Sequence, residues 1–216
     1  MNSQTTSYTR LRIGLIFAGF DDSREFMRSQ RFNFGSQFNQ EREGLLPDRW
    51  RSFTTMIYVG IDNGISGAIV LLSKTAGCAP LAMTPMPIQK AKKNEVDIAI
   101  VKAWLWEIGS WDKFTICLEE PSGSKSAQAA ASMAASFGAL RGAFQWAGIR
   151  FHRIGVKKWQ REMLGSGVDD TKKAALTKAK EIWPGETWLA SPRCKVPHDG
   201  MVDAALIAEY ARRNRL

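Results

Sequence analysis

Several carboxylates stand where the chain changes direction. Asp62 closes the apolar run IYVGID, directly before Asn63-Gly64. Glu119 and Glu120 close FTICLEE, directly before Pro121. Asp199 and Asp203 lie four apart in VPHDGMVDAALIAEY, which puts them about 40° apart on one helical face. His198 is five before Asp203 and about 140° round the same helix, a poorer partner for it. An oxygen-rich set without a chelating His/Cys pattern suits Mg²⁺ or Mn²⁺, hard ions that keep waters and take phosphate oxygens as ligands. Two such ions about 4 Å apart can activate water and stabilise the leaving oxygen in phosphodiester cleavage.

Each acid also has a plainer role. Asp62 can be a turn former before Asn-Gly. Alternation sends Glu119 and Glu120 to opposite faces of a strand, so at most one serves a site and the other is a solvated strand-end charge. Asp199 suits an N-cap or the first turn of a helix. Asp203 resists such a reading, because it precedes AALIA on a largely apolar helix. Taken together, the acids favour a metal site.

The elements that must position them follow from periodicity and breakers. Strands are expected at 57–62, 67–73 and near 80–86, and a helix over 95–108. A strand over 114–119 is stopped by Pro121. An Ala-rich helix over about 126–147, bounded by Gly148, precedes a strand at 149–154. Helices near 155–164, 170–182 and 198–213 complete the chain. Antiparallel hairpins followed by βαβ crossovers imply an α/β fold, a mixed sheet with helices on both faces.

The folded body is expected to begin at Met56. Residues 1–55 carry eight arginines and no lysine, are rich in Ser, Gln, Asn and Phe, and show no sustained period. They are expected to be a disordered tail or an upstream extension. The net charge of the 216-residue chain is +9, which favours a polyanionic partner. The tail's eight arginines meet six acids, so the basic character belongs mainly to the body. Three cysteines without a CxxC spacing argue against a disulfide framework or a structural zinc. No apolar run reaches the roughly 18 residues of a membrane span. A reduced, cytoplasmic setting is expected.

The segments YVGIDNGISGAIV, FTICLEEP, KSAQAAASMAASFGALRGAF and PHDGMVDAALIAEYARR resemble the RuvC-type Holliday junction resolvases, and look closest to the short versions of bacteriophages and prophages. The resemblance covers about 57–213 and none of the first 55 residues. It implies an RNase H-like fold with a five-stranded mixed sheet whose first three strands are antiparallel. It implies two divalent ions (Mg²⁺ or Mn²⁺) per active site, a homodimer, and symmetric cleavage of four-way DNA junctions. The matching acids are Asp62, Glu119, Asp199 and Asp203, as catalytic and metal-ligating residues. Many members space the last two ligands three apart, which falls on Gly200 here; Asp199 is the natural substitute, and His198 is a further metal-ligand candidate.

A branched DNA needs cations on its phosphates. Lys125, Lys157, Lys158, Arg161, Lys172 and Lys173 are the DNA-binding candidates, against their reading as ordinary solvated charges. Trp159, between them in KKWQR, is read as a core anchor in preference to a base-stacking platform. Trp104, Trp106 and Trp146 are also assigned to the core. Ala129, Ala130, Ala134 and Ala135 let the long helix pack closely on the sheet or on a second copy. GIDNGISG also resembles the first phosphate loop of actin-like ATPases, but the body is too short for their two domains. The competing functions are an RNase H-like nuclease acting on flaps or RNA–DNA hybrids, and a branched-DNA-binding protein without catalysis.

Overall fold

The computed structural model describes residues 56–90, 92–109, 111–123 and 126–216. The expected disordered extension, 1–55, and Lys125 lie outside the described residues. Strands β1 (Ile57–Asp62), β2 (Ala68–Ser73) and β3 (Ala82–Pro85) form an antiparallel meander. A small ribbon, β4 (Ile88–Gln89) with β5 (Glu95–Val96), leads into α1 (Ile98–Ile108). Strand β6 (Phe114–Glu120) runs parallel to β1, and β7 (Phe151–Gly155) runs parallel to β6. Between them lies α2 (Ala127–Trp146); α3 (Val156–Leu164), α4 (Thr171–Ile182) and α5 (Asp199–Arg213) follow. The sheet order is β3-β2-β1-β6-β7. This is the mixed five-stranded α/β arrangement expected, antiparallel in its first three strands and with helices on both faces.

The central strand is apolar on both sides, and alternation divides it between two cores. Ile57, Val59 and Ile61 join Ile116 and Leu118 of β6 under α1 and α2. Tyr58 joins Cys117 and the apolar stripe of α5 on the opposite face. Eleven residues of α5 are buried, Gly200 to Val202 and Ala204 to Ala211. That helix is the main cover of this face, with Trp159 and Met163 of α3 and Ala175 and Ala179 of α4 packed round it.

Some local expectations are corrected. Glu95 and Val96 pair as a strand rather than opening a helix; α1 starts at Ile98 because the Asp97 side chain accepts the Ile100 N–H. Trp104 is buried and Trp106 half-buried against Trp111, but Trp146 is 78% exposed and not in the core. The long helix buries only Ser136, Leu140 and Phe144, a narrow stripe that leaves Trp146 outside.

Candidate active site

Strand parity decides which acids can meet. Asp62 shares a face of β1 with Tyr58 and Gly60, and Glu119 shares a face of β6 with Cys117. Tyr58 and Cys117 both lie in the core beneath α5. The parallel register sets Ile61 opposite Leu118, so Asp62 and Glu119 end neighbouring strands on the same side. Glu119 is buried. Glu120 turns to the other face and pairs with Arg153 at 3.4 Å, the strand-end charge foreseen for one of the two.

Asp203 arrives from above, and glycines let it. A β-carbon on Gly60 would lie 2.0 Å from the Ala204 carbonyl oxygen and 2.5 Å from the Ala208 nitrogen. Helix α5 therefore rests directly on the β1 backbone, with Asp203 beside Ala204 and near Asp62. Gly67 is equally confined, since a β-carbon there would fall 2.2 Å from the Asp62 carbonyl oxygen. The β1–β2 turn is held by the Gly67 N–H donating to the Gly64 carbonyl at 2.8 Å. The Gly64 N–H donates to Asp62 Oδ1 at 3.1 Å.

Glu119 is fixed at both ends. Its Oε1 accepts the indole N–H of Trp159 at 2.7 Å. Its carbonyl accepts the side-chain amide of Asn63. Asn63 is fully buried, and its Oδ1 has no partner among the described residues.

The electrostatics tie three acids into one neighbourhood. Burial pushes Asp62 up to about 6, against the Gly64 N–H that lowers it. Burial pushes Glu119 up to about 8, helped by the charges of Asp62 and Asp203 and opposed by the Trp159 hydrogen bond. Asp203 rises to about 7 through burial and then through Asp62 and Asp199, with Lys172 opposing. Cys117, behind Glu119, is pushed to about 12, first by burial and then by Glu119. It has no thiolate to offer at neutral pH.

Asp199 stands apart from this trio. It is exposed at the start of α5, and its Oδ2 pairs with Lys172 Nζ at 2.7 Å. Of the two places expected for Asp199, N-cap or first turn, the cap falls to His198, whose Nδ1 accepts the Met201 N–H at 3.2 Å, and burial lowers that imidazole's pKa. Asp199 is the first helical residue instead.

Among the described residues, no three His, Cys, Asp or Glu side chains converge tightly enough to hold a metal ion as they stand. Glu119 and Asp199 are each engaged by a protein donor, Trp159 and Lys172. The donor set nonetheless fits Mg²⁺ or Mn²⁺. Its ligands are all oxygens; after burial, the charge of Asp62 raises the cost of ionising both Glu119 and Asp203, a repulsion a divalent cation would reverse.

Lys157, Lys158 and Arg161 are exposed on α3, and Lys172 and Lys173 are exposed at the start of α4. Trp159 is 1% exposed, a core anchor as read. Its bond to Glu119 escaped the sequence reading; the only available signal was that a buried indole N–H needs an acceptor. The cysteines Cys78, Cys117 and Cys194 are free. No helix of the described residues is long and apolar enough to cross a membrane.

No protein-family profile matches the chain, and no curated protein is significantly similar to it. Among solved structures, it is similar to Thermus thermophilus RuvC in complex with Holliday junction substrate, at 19% identity and a TM-score of 0.45. That overlap covers 74% of this chain and 96% of the other. A second Thermus thermophilus RuvC structure overlaps at 16% identity and a TM-score of 0.43, covering 74% and 97%. Likeness at that level leaves the chemistry to be argued from this chain's own residues.

Proposed function

We propose that the chain is a Mg²⁺- or Mn²⁺-dependent endonuclease that resolves four-way DNA junctions by hydrolysing phosphodiester bonds, acting as a homodimer in the cytoplasm. The observation that carries this reading is the meeting of Asp62, Glu119 and Asp203 on one face of the sheet, each from a different element. The motif resemblance to RuvC-type resolvases directs the substrate to a branched DNA. A divalent ion pair there would supply an activated water and a counter-charge for the leaving oxygen.

The chain's own residues divide the remaining work. Asp62, Glu119, Asp199 and Asp203 would hold the ions, with the charge of Asp62 acting on both Glu119 and Asp203. Asn63 and Trp159 keep Glu119 from turning away. The exposed cations Lys157, Lys158, Arg161 and Lys173 grip phosphates and orient the strand. Lys172, paired with Asp199, brings a positive charge to the rim where a phosphate would enter. For the dimer, α2 offers exposed small residues, Ala129, Ala134, Ala135 and Gly138, that allow close approach of a second copy.

The deciding experiment compares labelled four-way junction, Y-flap, duplex DNA and RNA–DNA hybrid, each with Mg²⁺ or EDTA. Paired symmetric nicks in the junction alone, abolished by EDTA, are expected. Cleavage of flaps or hybrids instead would move the activity to another RNase H-like nuclease class. Tight junction binding without cleavage in either metal would make the chain a binding protein.

A further inference from the structure

Trp159 does more than fill space. Helix α3 begins directly after β7, and β7 pairs with β6 so that Ile154 sits opposite Glu119. One turn into α3, the indole therefore lies over the end of β6. Trp159 and Met163 are the residues α3 buries, while Lys157, Lys158 and Arg161 on the same helix face solvent. The Trp159 N–H takes Glu119 Oε1 at 2.7 Å in surroundings that exclude water from both partners. A buried carboxylate held by one donor keeps a defined rotamer and offers its other oxygen in a set direction. With Asn63 fixing the Glu119 carbonyl, the residue is clamped at backbone and side chain.

We infer that Trp159 is a positioning residue for the metal site, acting through Glu119 by fixing which carboxylate oxygen is presented to the ion. This rests on the reading of Glu119 as a metal ligand. Partners behind a ligand typically change metal affinity 10- to 100-fold when removed. Trp159→Phe keeps an aromatic ring and removes the donor. A purely space-filling role would make Met163, on the same buried face, behave alike.

The test is Mn²⁺ binding to the full chain, followed by electron paramagnetic resonance without DNA, with thermal midpoints alongside. Trp159→Phe is expected to weaken Mn²⁺ binding about 10-fold or more. Met163→Ala should lower the thermal midpoint but leave Mn²⁺ affinity within about 3-fold. In a Glu119→Ala background, Trp159→Phe should add no further loss of affinity. Should the phenyl ring unfold the protein, benzothiophene in place of the indole at position 159 removes only the N–H, and the same weakening is expected. Wild-type affinity in the donor-less variant, or equal weakening by Met163→Ala, would overturn the inference and leave the metal site standing. Absence of any Mn²⁺ binding that depends on Asp62 would overturn both.

Discussion

Gly67 and Gly200 meet backbone to backbone: a β-carbon on Gly200 would lie 2.7 Å from the Gly67 α-carbon and 2.7 Å from the Ser66 carbonyl oxygen. Position 200 is three before Asp203, where many resolvases of the resembled family carry an acid. Here that position is filled by the β1–β2 turn, so no side chain fits. The acid sits one residue earlier, at Asp199, on the exposed rim. Gly200→Asp, although it would recreate the three-residue spacing, is expected to destabilise the protein by about 1–3 kcal/mol through overpacking. It should also fail to rescue cleavage by Asp199→Ala; urea unfolding midpoints and junction cleavage check the two parts.

Asp62→Asn removes a charge and almost no volume. Junction cleavage is expected to fall by at least about 100-fold, the upper end of what a single supporting change costs a metal site. Junction affinity in a gel-shift titration should stay within about 3-fold of wild type. Full cleavage by this variant would take Asp62 out of the site.

The raised carboxyls make a pH prediction. Asp62, Glu119 and Asp203 hold protons in the folded state at about 6, 8 and 7, whereas unfolded acids release them near 4. Between about pH 4 and 8 the folded state thus binds more protons than the unfolded state, and stability falls as pH rises. His198, its pKa lowered by burial, opposes this as a single group below the ordinary imidazole value of about 6.5. Glu209, lowered by Arg212 and Arg213, acts below the window, in the acid range. The metal-free thermal midpoint should drop by about 5 °C or more between pH 5 and pH 8, since each kcal/mol is worth about 2–4 °C in a domain of this size. Mg²⁺ should raise the midpoint more at pH 8 than at pH 5. A flat profile would deny that these acids ionise at a cost in the folded state.

In the proposed function the exposed cations of α3 act through phosphates alone. Lys157→Ala combined with Lys158→Ala is expected to weaken junction and duplex binding alike. The slope of log affinity against log salt should shrink by about 0.9 for each phosphate left without its lysine. An unchanged slope would return both lysines to the solvated surface.

The exposed face of α2 gives the dimer a direct check. Ala135→Glu places a charge on that face without touching the buried stripe of Ser136, Leu140 and Phe144. A wild-type dimer mass by light scattering, halved in the variant, is expected. A monomeric wild type with and without junction DNA would remove the dimer from the proposal.

Much of this site was legible because its acids sit at element ends. Short continuous apolar runs placed Asp62 and one of the two glutamates at strand termini, and a 3.6-residue period placed Asp203 on a buried helix. The sheet's mixed order followed from hairpins preceding crossovers. What stayed hidden depends on contacts no local period encodes. Trp159 and Glu119 are 40 residues apart, and the clash that keeps Gly200 bare comes from the turn at Ser66 and Gly67. His198 displaced Asp199 as the cap because a ring nitrogen can accept an N–H as a carboxylate does. Val96 falls within the apolar spacing of the helix after it, and the Asp97 cap marks the true start.

Helix α5 supplies both the lid of one core and the acid Asp203, and it follows every strand of the sheet in the chain. A nascent chain that has not yet made residues 199–213 leaves that sheet face open and lacks Asp203. Under the proposed function, cleaving power and completed folding therefore arrive together, once this last helix has docked. A polypeptide cut short before this helix would be a poor folder, and on the proposed function it would also be harmless to DNA.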